Sequence, residues 1–262
     1  MSNSGLKALL ARLDDLAAQA PADGTLPLLI GDKVCGQVSA RASQVLLDGG
    51  FVRAHQNQLL IEDTRDLDTQ MAQMALALRS AGCIPKWRGE LLDVWCDNNA
   101  IAAIERGAVR PLGLLTRAVH LNAWSRTGKL WVARRALDKA TDPGMWDTLV
   151  GGLVGRGESD DLALERESAE EAGLSEAQIQ GREPIQSIYR MRRRVPEGFQ
   201  YEEVLTSDCV LADDVKPKNQ DGEVMEIACL PTADIEAMLL AGEFTVEASI
   251  VIAQSLLARQ SS

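Results

Sequence analysis

Aromatic residues are scarce, at 4% of 262 positions, and histidine occurs twice, as His55 and His120. The interior must therefore be built mostly from Leu, Ala, Val and Ile, and a histidine-rich metal centre is excluded. The five cysteines, Cys35, Cys83, Cys96, Cys209 and Cys229, are scattered and contain no C-x-x-C pair. That argues against a disulfide framework or a zinc ribbon and for a reducing, cytoplasmic setting. No stretch approaches the roughly 20 apolar residues of a membrane span, and the opening MSNSGLKALLARLDDL lacks the apolar core of a signal peptide. Positive charge is also short. With 27 basic against 38 acidic residues the net charge is −11, the opposite of the basic footprint that nucleic acid or an anionic membrane requires. A small anionic ligand stays compatible if a metal ion or a local basic patch offsets the field. What is present, 46% hydrophobic and 25% charged residues, is the composition of a soluble globular chain of one or two domains.

Periodicity divides the chain into two α+β halves, with a soft boundary between Glu105 and Leu115. In the first, expected to span residues 1–112, Leu6, Leu9, Leu10, Leu13 and Leu16 repeat at helical spacing. A hairpin follows over Leu26–Ile30 and Val34–Val38, then a helix over Arg41–Leu47 and short strands near Phe51 and Leu59–Ile61. A helix capped by Asp66 or Asp68 runs to Arg79, and strands near Leu91–Trp95 and Ala100–Ile104 close this half. In the second half, residues 113–262, strands at Ala118–Trp124, Lys129–Arg135, Ile185–Arg194, Tyr201–Val210 and Val224–Leu230 interleave with helices at Asp160–Ala172, Thr232–Leu240 and Val246–Arg259. That order implies a mixed sheet packed between helices.

The chemistry concentrates in GGLVGRGESDDLALERESAEEAGL, residues 151–174. Asp160 or Asp161 can cap the helix, and Gly173 stands where it should stop. Glu167, Glu170 and Glu171, at i, i+3 and i+4, repel one another by a few tenths of a kcal/mol per exposed pair. A hard divalent cation held through oxygen would turn that repulsion into coordination. Glu158, in the Gly-rich loop, can pair with Arg166 and pin the loop to the helix. A Glu-rich helix face is otherwise an ordinary solvated surface, so the wider register decides. Gly152, Glu158, Arg166-Glu167, Glu170-Glu171, Gly173 and apolar Leu174 stand in fixed spacing. When each residue type occurs at roughly one in fifteen, such a register arises by chance about once in 10⁸ starting points.

This pattern resembles the Nudix box. The resemblance implies an α/β/α sandwich with a mixed sheet, behind a small N-terminal α+β domain, and metal-dependent hydrolysis of a diphosphate linkage. It implies that Glu167, Glu170 and Glu171, with the main-chain carbonyl of Gly151, hold Mg²⁺ or Mn²⁺, and that Glu158 and Arg166 are structural partners. The base is left among Glu170, Glu223 and Glu226. One departure is Ser168, where the family carries a bulky aliphatic residue facing the core. The runs VHLNAW (Val119–Trp124), LWVARRALDKATDPGMWDTLVGGLVGRGES and KNQDGEVMEI further resemble the Nudix domain fused to fungal thiamine pyrophosphokinases and its stand-alone bacterial relatives. That branch is associated with taking phosphate from damaged thiamine diphosphates. Other nucleoside or sugar diphosphates, and a non-catalytic binding module on the same scaffold, are the alternatives. Homodimers are a further expectation from the resemblance.

Several residues are candidates for holding the substrate. Arg134, Arg135 and Lys139 fall where a diphosphate clamp would lie, and strand alternation lets only one of the two arginines enter the site. Trp146 could stack on a heterocycle. Arg190, Arg192 and Arg194 share one strand face, Tyr189, Met191 and Arg193 the other, and Arg192 is the candidate phosphate anchor. His120 reads as a structural residue inside its strand. Isopentenyl diphosphate isomerase shares the fold but needs a histidine-rich metal site and a catalytic cysteine, which have no counterpart here.

Overall fold

The structure, a computed structural model, describes residues 3–139, 141–220 and 222–261. The helix α1 (Asn3–Ala17) leads into strands β1 (Leu26–Ile30) and β2 (Lys33–Val38), helix α2 (Ala40–Asp48), strands β3 (Arg53–His55) and β4 (Gln58–Ile61), and helix α3 (Leu67–Ser80). Strands β1 to β4 form one sheet in the order β2-β1-β4-β3, while β5 (Leu91–Cys96) and β6 (Asn99–Glu105) pair as a separate hairpin. Ser39 caps α2, and Asp66, of the two candidates, caps α3 by accepting from the Thr69 amide. Leu28, Leu46, Leu59, Met71, Met74, Leu78 and Ile104 form one apolar core between these sheets and helices. A 3₁₀ turn (Arg106–Ala108) and a single turn α4 (Val109–Leu112) connect to the second half. Proline and glycine around that connection carry no periodic signal, so it reads as a boundary and not as an element.

The second half is a seven-stranded sheet centred on β7 (Leu115–Ser125). It contains β8 (Leu130–Arg135), β9 (Trp146–Thr148), β10 (Val150–Leu153), β11 (Gln186–Val195), β12 (Gly198–Leu211) and β13 (Val224–Leu230) in the order β11-β12-β7-β8-β13, with β10 paired to β7 and β9 to β8. β12 runs parallel to β7 from Tyr201↔Leu115 to Leu211↔Ser125, so even-numbered residues of both strands share a face. On the odd face Val119, Leu121 and Leu205 pack beneath α5 (Asp160–Ala172) and α6 (Glu176–Ile179). On the even face Trp124, Val204 and Met191 pack against α7 (Thr232–Ala241) and α8 (Val246–Ser261). Two helical layers around a mixed sheet make the expected α/β/α sandwich. The chain as a whole is the expected α+β.

The first helix crosses the expected division. Leu6, Leu9, Leu13 and Ala17 are buried with Trp124, Val251 and Leu256, in the core of the second half. The apolar stripe of α1 must be covered by something, and α8 is among the elements that cover it. The first helix thus adds to the core of the second half. β9 and β10 were not anticipated because a strand of three residues and a Gly-Gly pair show no alternation to read.

The cap of α5 also departs from expectation. Ser159 takes it, its side chain accepting from the Leu162 amide, which leaves Asp160 and Asp161 in the first turn, where they complement the helix dipole. Gly173 ends the helix at φ 63, a left-handed conformation that suits glycine. Ser168 is fully buried, as the resemblance implies, and its hydroxyl has no hydrogen-bond partner. An unpaired buried hydroxyl costs about 1 kcal/mol or more, and alanine is the better helix former. Ser168→Ala should therefore raise the melting temperature by roughly 2–4 °C. A fall in a thermal unfolding scan would show that the hydroxyl is satisfied.

Candidate active site

The helix α5 presents Glu167 and Glu171 toward β10 because positions i and i+4 lie about 40° apart around a helix. Glu170 lies about 100° from Glu171 on the same wheel and is half-exposed, whereas Glu171 is buried. Both carboxylates approach strand β10. The Glu171 carboxylate accepts a 2.8 Å hydrogen bond from the Gly151 amide. A Cβ on Gly152 would stand 2.0 Å from Cδ of Glu167, so only glycine leaves room for that carboxyl group. Burial pushes Glu171 up to about 8 despite the Gly151 amide, and burial also raises Glu167 despite the adjacent Arg166 guanidinium. The two groups are short of positive charge.

Arg166 is the hub of the surrounding carboxylates. Its guanidinium donates twice to Glu158, at 2.9 Å each, once to Glu167 at 2.7 Å, and more loosely to Glu170 at 3.3 Å. Glu158 in turn accepts from the Gly155 amide at 2.9 Å, which ties the Gly-rich loop to the helix. The first half of the chain grips the same loop. Arg156 reaches Asp68 at 2.8 Å, and the Gly157 amide donates to Asp93 at 3.0 Å.

Glu167, Glu171, Gly151 and Gly152 open into a cleft of ≈ 230 Å³. Of the anticipated substrate residues Arg135 and Lys139 line it, as does Glu223, a candidate base. Arg135 is the arginine that enters; it donates to Asp147 at 2.8 Å and to the Thr141 carbonyl. Arg134 does not line the cleft: it bonds to the Gly144 carbonyl and lies over the ring of Trp146. Trp146 is likewise absent from the lining, packing beside the α7–α8 core with its backbone tied to Glu243 and Thr245. Lys139 forms an ion pair with Glu223. Burial would raise Glu223, but Lys139 and, at longer range, Arg106 and Arg88 outweigh it and hold the carboxyl below its usual pKa. Glu226 lies outside the cleft, 3.8 Å from Arg134.

Arg192 is also outside the cleft, lining a separate groove near α1. Met191 is completely buried in the α8 core, and that burial sets the parity of β11. The neighbour on Met191's face is Arg193, which pairs with Asp142 at 3.1 Å and lies 3.8 Å from Glu247. The first half of the chain also contributes to the cleft: Lys86, Arg88, Arg106 and Arg110 all line it. Their positive charge was masked in the sequence by the acidic total. The only signal was the density of basic residues in PKWRG and ERGAVRP.

Residues 114–250 match the profile described as the NUDIX domain. The chain belongs to the Nudix family. Among its relatives, "Nudix hydrolase 20, chloroplastic" of Arabidopsis thaliana is 29% identical over 236 residues, covering 82% of this chain and 62% of that protein. The uncharacterized protein YJR142W of Saccharomyces cerevisiae is 25% identical over 212 residues, covering 73% of this chain and 61% of that protein. The chain thus spans about three-fifths of the length of these curated relatives. Among solved structures, a MutT protein from Methanosarcina mazei Go1 is 21% identical with a TM-score of 0.44, over 56% of this chain and 96% of that one. No helix among the described residues is long and apolar enough to cross a membrane.

A divalent metal ion suits the Nudix helix chemically. The donors are all oxygen, Glu167, Glu171 and the Gly151 carbonyl, with Glu170 one helical position away, and oxygen-only sets favour Mg²⁺ or Mn²⁺. The space over Gly152 that a Cβ would fill is taken by the Glu167 carboxyl, which places it at the strand. Among the described residues no three His, Cys, Asp or Glu side chains gather closely enough to hold an ion unaided. Substrate phosphate and water would complete the shell, as is usual for Mg²⁺.

Proposed function

We propose that this chain is a Mg²⁺- or Mn²⁺-dependent hydrolase of a small organic diphosphate, releasing the monophosphate, with thiamine diphosphate and its damaged forms as the favoured substrates. The observation that carries the hydrolase reading is a cleft that brings the carboxylates of α5 together with basic side chains. Glu167 and Glu171 line it along with Lys86, Arg88, Arg106 and Lys139. A diphosphate between them would meet guanidinium and ammonium donors on its free oxygens, the pairing that binds phosphate most strongly. When bound, the metal ion would neutralise the anhydride and lower the pKa of an attacking water. Of the three candidate bases Glu223 alone lines the cleft, and its ion pair with Lys139 orients it. The isomerase reading requires a catalytic cysteine, and among the described residues none lines the cleft. The thiamine preference rests on the likeness of VHLNAW and KNQDGEVMEI to the Nudix domain beside thiamine pyrophosphokinases.

The test is phosphate release from a panel of thiamine, nucleoside and sugar diphosphates, with Mg²⁺ and with a chelator. Turnover that the chelator abolishes is expected. Binding without turnover in every case would leave a non-catalytic module. Arg88→Ala and Arg106→Ala should each lower kcat/KM by about 10- to 100-fold, the worth of one charge-assisted phosphate contact. The melting temperature should hardly move, because the ion pair of Arg106 with Glu90 is exposed. Unchanged kinetics in both variants would remove the first half of the chain from substrate binding.

A further inference from the structure

The arginine stripe of β11 takes no part in the cleft, and its surroundings account for only some of it. β11 is the edge strand of the larger sheet, and such an edge is often guarded by exposed charge. Here the segment after α1 already covers it. The Gln19 amide donates to the Arg192 carbonyl at 2.8 Å, and the Arg194 amide donates to Oε1 of Gln19 at 2.8 Å. The Arg194 guanidinium donates to the carbonyls of Ala20 and Pro21, which ties this segment down. Arg190 lies 3.4 Å from Glu203. Arg192 is exposed and, among the described residues, joins no salt bridge.

Arg190 and Arg192 open into a groove of ≈ 630 Å³, which among the described residues shares no lining residue with the cleft. Small-molecule sites typically measure roughly 300–1,000 Å³. The register sets Arg192 beside Tyr201 and Tyr201 beside Leu115, so these three side chains share one face of the sheet. The first half of the chain adds Trp95 of β5 to the lining. Trp95 and Tyr201 are half-buried, so part of each side chain stays open, and Arg117 lies over the Trp95 ring at 5.2 Å and steadies it. Asp97 is the one acidic residue among the described residues that line the groove, and it pairs with Lys33 at 2.8 Å. Uncommitted positive charge therefore stands beside open aromatic surface, in a protein whose net charge is −11.

We infer that this groove is a second ligand site, for a small molecule that carries a phosphate on an aromatic ring. Two guanidiniums two residues apart on one strand face offer forked donors to a phosphate. Tyr201 and Trp95 offer ring surface for stacking, which tolerates any planar group. An uncharged ring leaves Arg192 unmatched, and a bare anion leaves the aromatic surface uncovered; a molecule with both features uses the whole groove. It touches both halves of the chain, β5 from the first and β11 and β12 from the second. The site goes beyond the hydrolase reading and does not depend on it.

Calorimetry on the full chain would use adenosine 5′-monophosphate and phenyl phosphate, with adenosine and orthophosphate as the separate parts of the first. Both aryl phosphates should bind, and each separate part should bind at least about tenfold more weakly than the whole. Arg192→Ala should weaken both aryl phosphates at least about tenfold, and Tyr201→Leu should weaken them too, while Tyr201→Phe keeps the ring and the affinity. Arg88→Ala, in the cleft, should bind them as the parent does, and Arg192→Ala should leave diphosphate hydrolysis unchanged. Weaker binding in Arg88→Ala with none lost in Arg192→Ala would put the ligand in the cleft and overturn the second site. Absence of binding by both aryl phosphates, or separate parts that bind as tightly as the whole, would overturn it as well. The binding comparisons decide whether or not the chain hydrolyses diphosphates. Arg192 is exposed and its carbonyl keeps the bond from Gln19 after truncation, so this variant should melt like the parent. If Tyr201→Leu melts early, Arg192→Ala carries the comparison alone.

Discussion

Glu171→Gln is expected to cut diphosphate hydrolysis by about 1000-fold, with the protein still folded, because a metal–phosphate site supplies several kcal/mol of charge stabilisation. The carboxylate is buried against the Gly151 amide, which donates to it at 2.8 Å. A glutamine oxygen can accept the same hydrogen bond, so the local fold needs no charge there. The negative charge matters only for a cation. Glu167→Gln should lose activity to a similar degree, although there the ion pair with Arg166 at 2.7 Å is also weakened. In both variants the loss should lie mainly in kcat, with a higher Mg²⁺ concentration needed for half-maximal rate. Phosphate release within about threefold of the parent in both would refute the proposed role of this pair.

Gly152→Ala should separate activity from stability. The added Cβ would come within 2.0 Å of Cδ and 2.1 Å of Oε1 of Glu167. Those atoms sit at the end of a flexible side chain, so the collision is relieved by moving the carboxyl group, at little cost to folding. A displacement of about 1 Å in a catalytic group can cost about 100-fold in rate, and at least that loss is expected in kcat. Gly151→Ala provides a graded comparison, since its Cβ would meet His120 Nδ1 at 3.1 Å, a closeness relieved by a few tenths of an ångström. A Gly152→Ala enzyme with normal kcat would show that Glu167 works from another position. A large loss of thermal stability would instead mean that β10 moves and the carboxyl group does not.

The site was legible in the sequence to very different depths. The contact of Glu158 with Arg166 and the common face of Glu167 and Glu171 follow from spacing within one helix and its entry loop. The exposure of Glu170 does not, because the helical wheel states an angle but not which direction holds the strand. For β11 the alternation sets Arg192 and Arg193 on opposite faces, and Arg192 lines a separate groove while Arg193 pairs with Asp142. Parity says that neighbours face opposite ways, and only the burial of Met191 says which way is inward. Arg134, Trp146 and Glu226 had plausible neighbours in the chain and lie outside the cleft. Lys86, Arg88 and Arg106 had none, and line it.

By itself the sequence determined the family, the helix that carries the acidic side chains, and most strands and helices, since each rests on interactions among residues a few positions apart. The tertiary structure alone decided that α1 packs with α8, that the first half of the chain brings basic side chains to the cleft, and that Gln200 bonds both Glu202 and Glu247. These depend on contacts between segments tens of residues apart, whose pairing is set by burial of the whole apolar surface, and local periodicity holds no record of it.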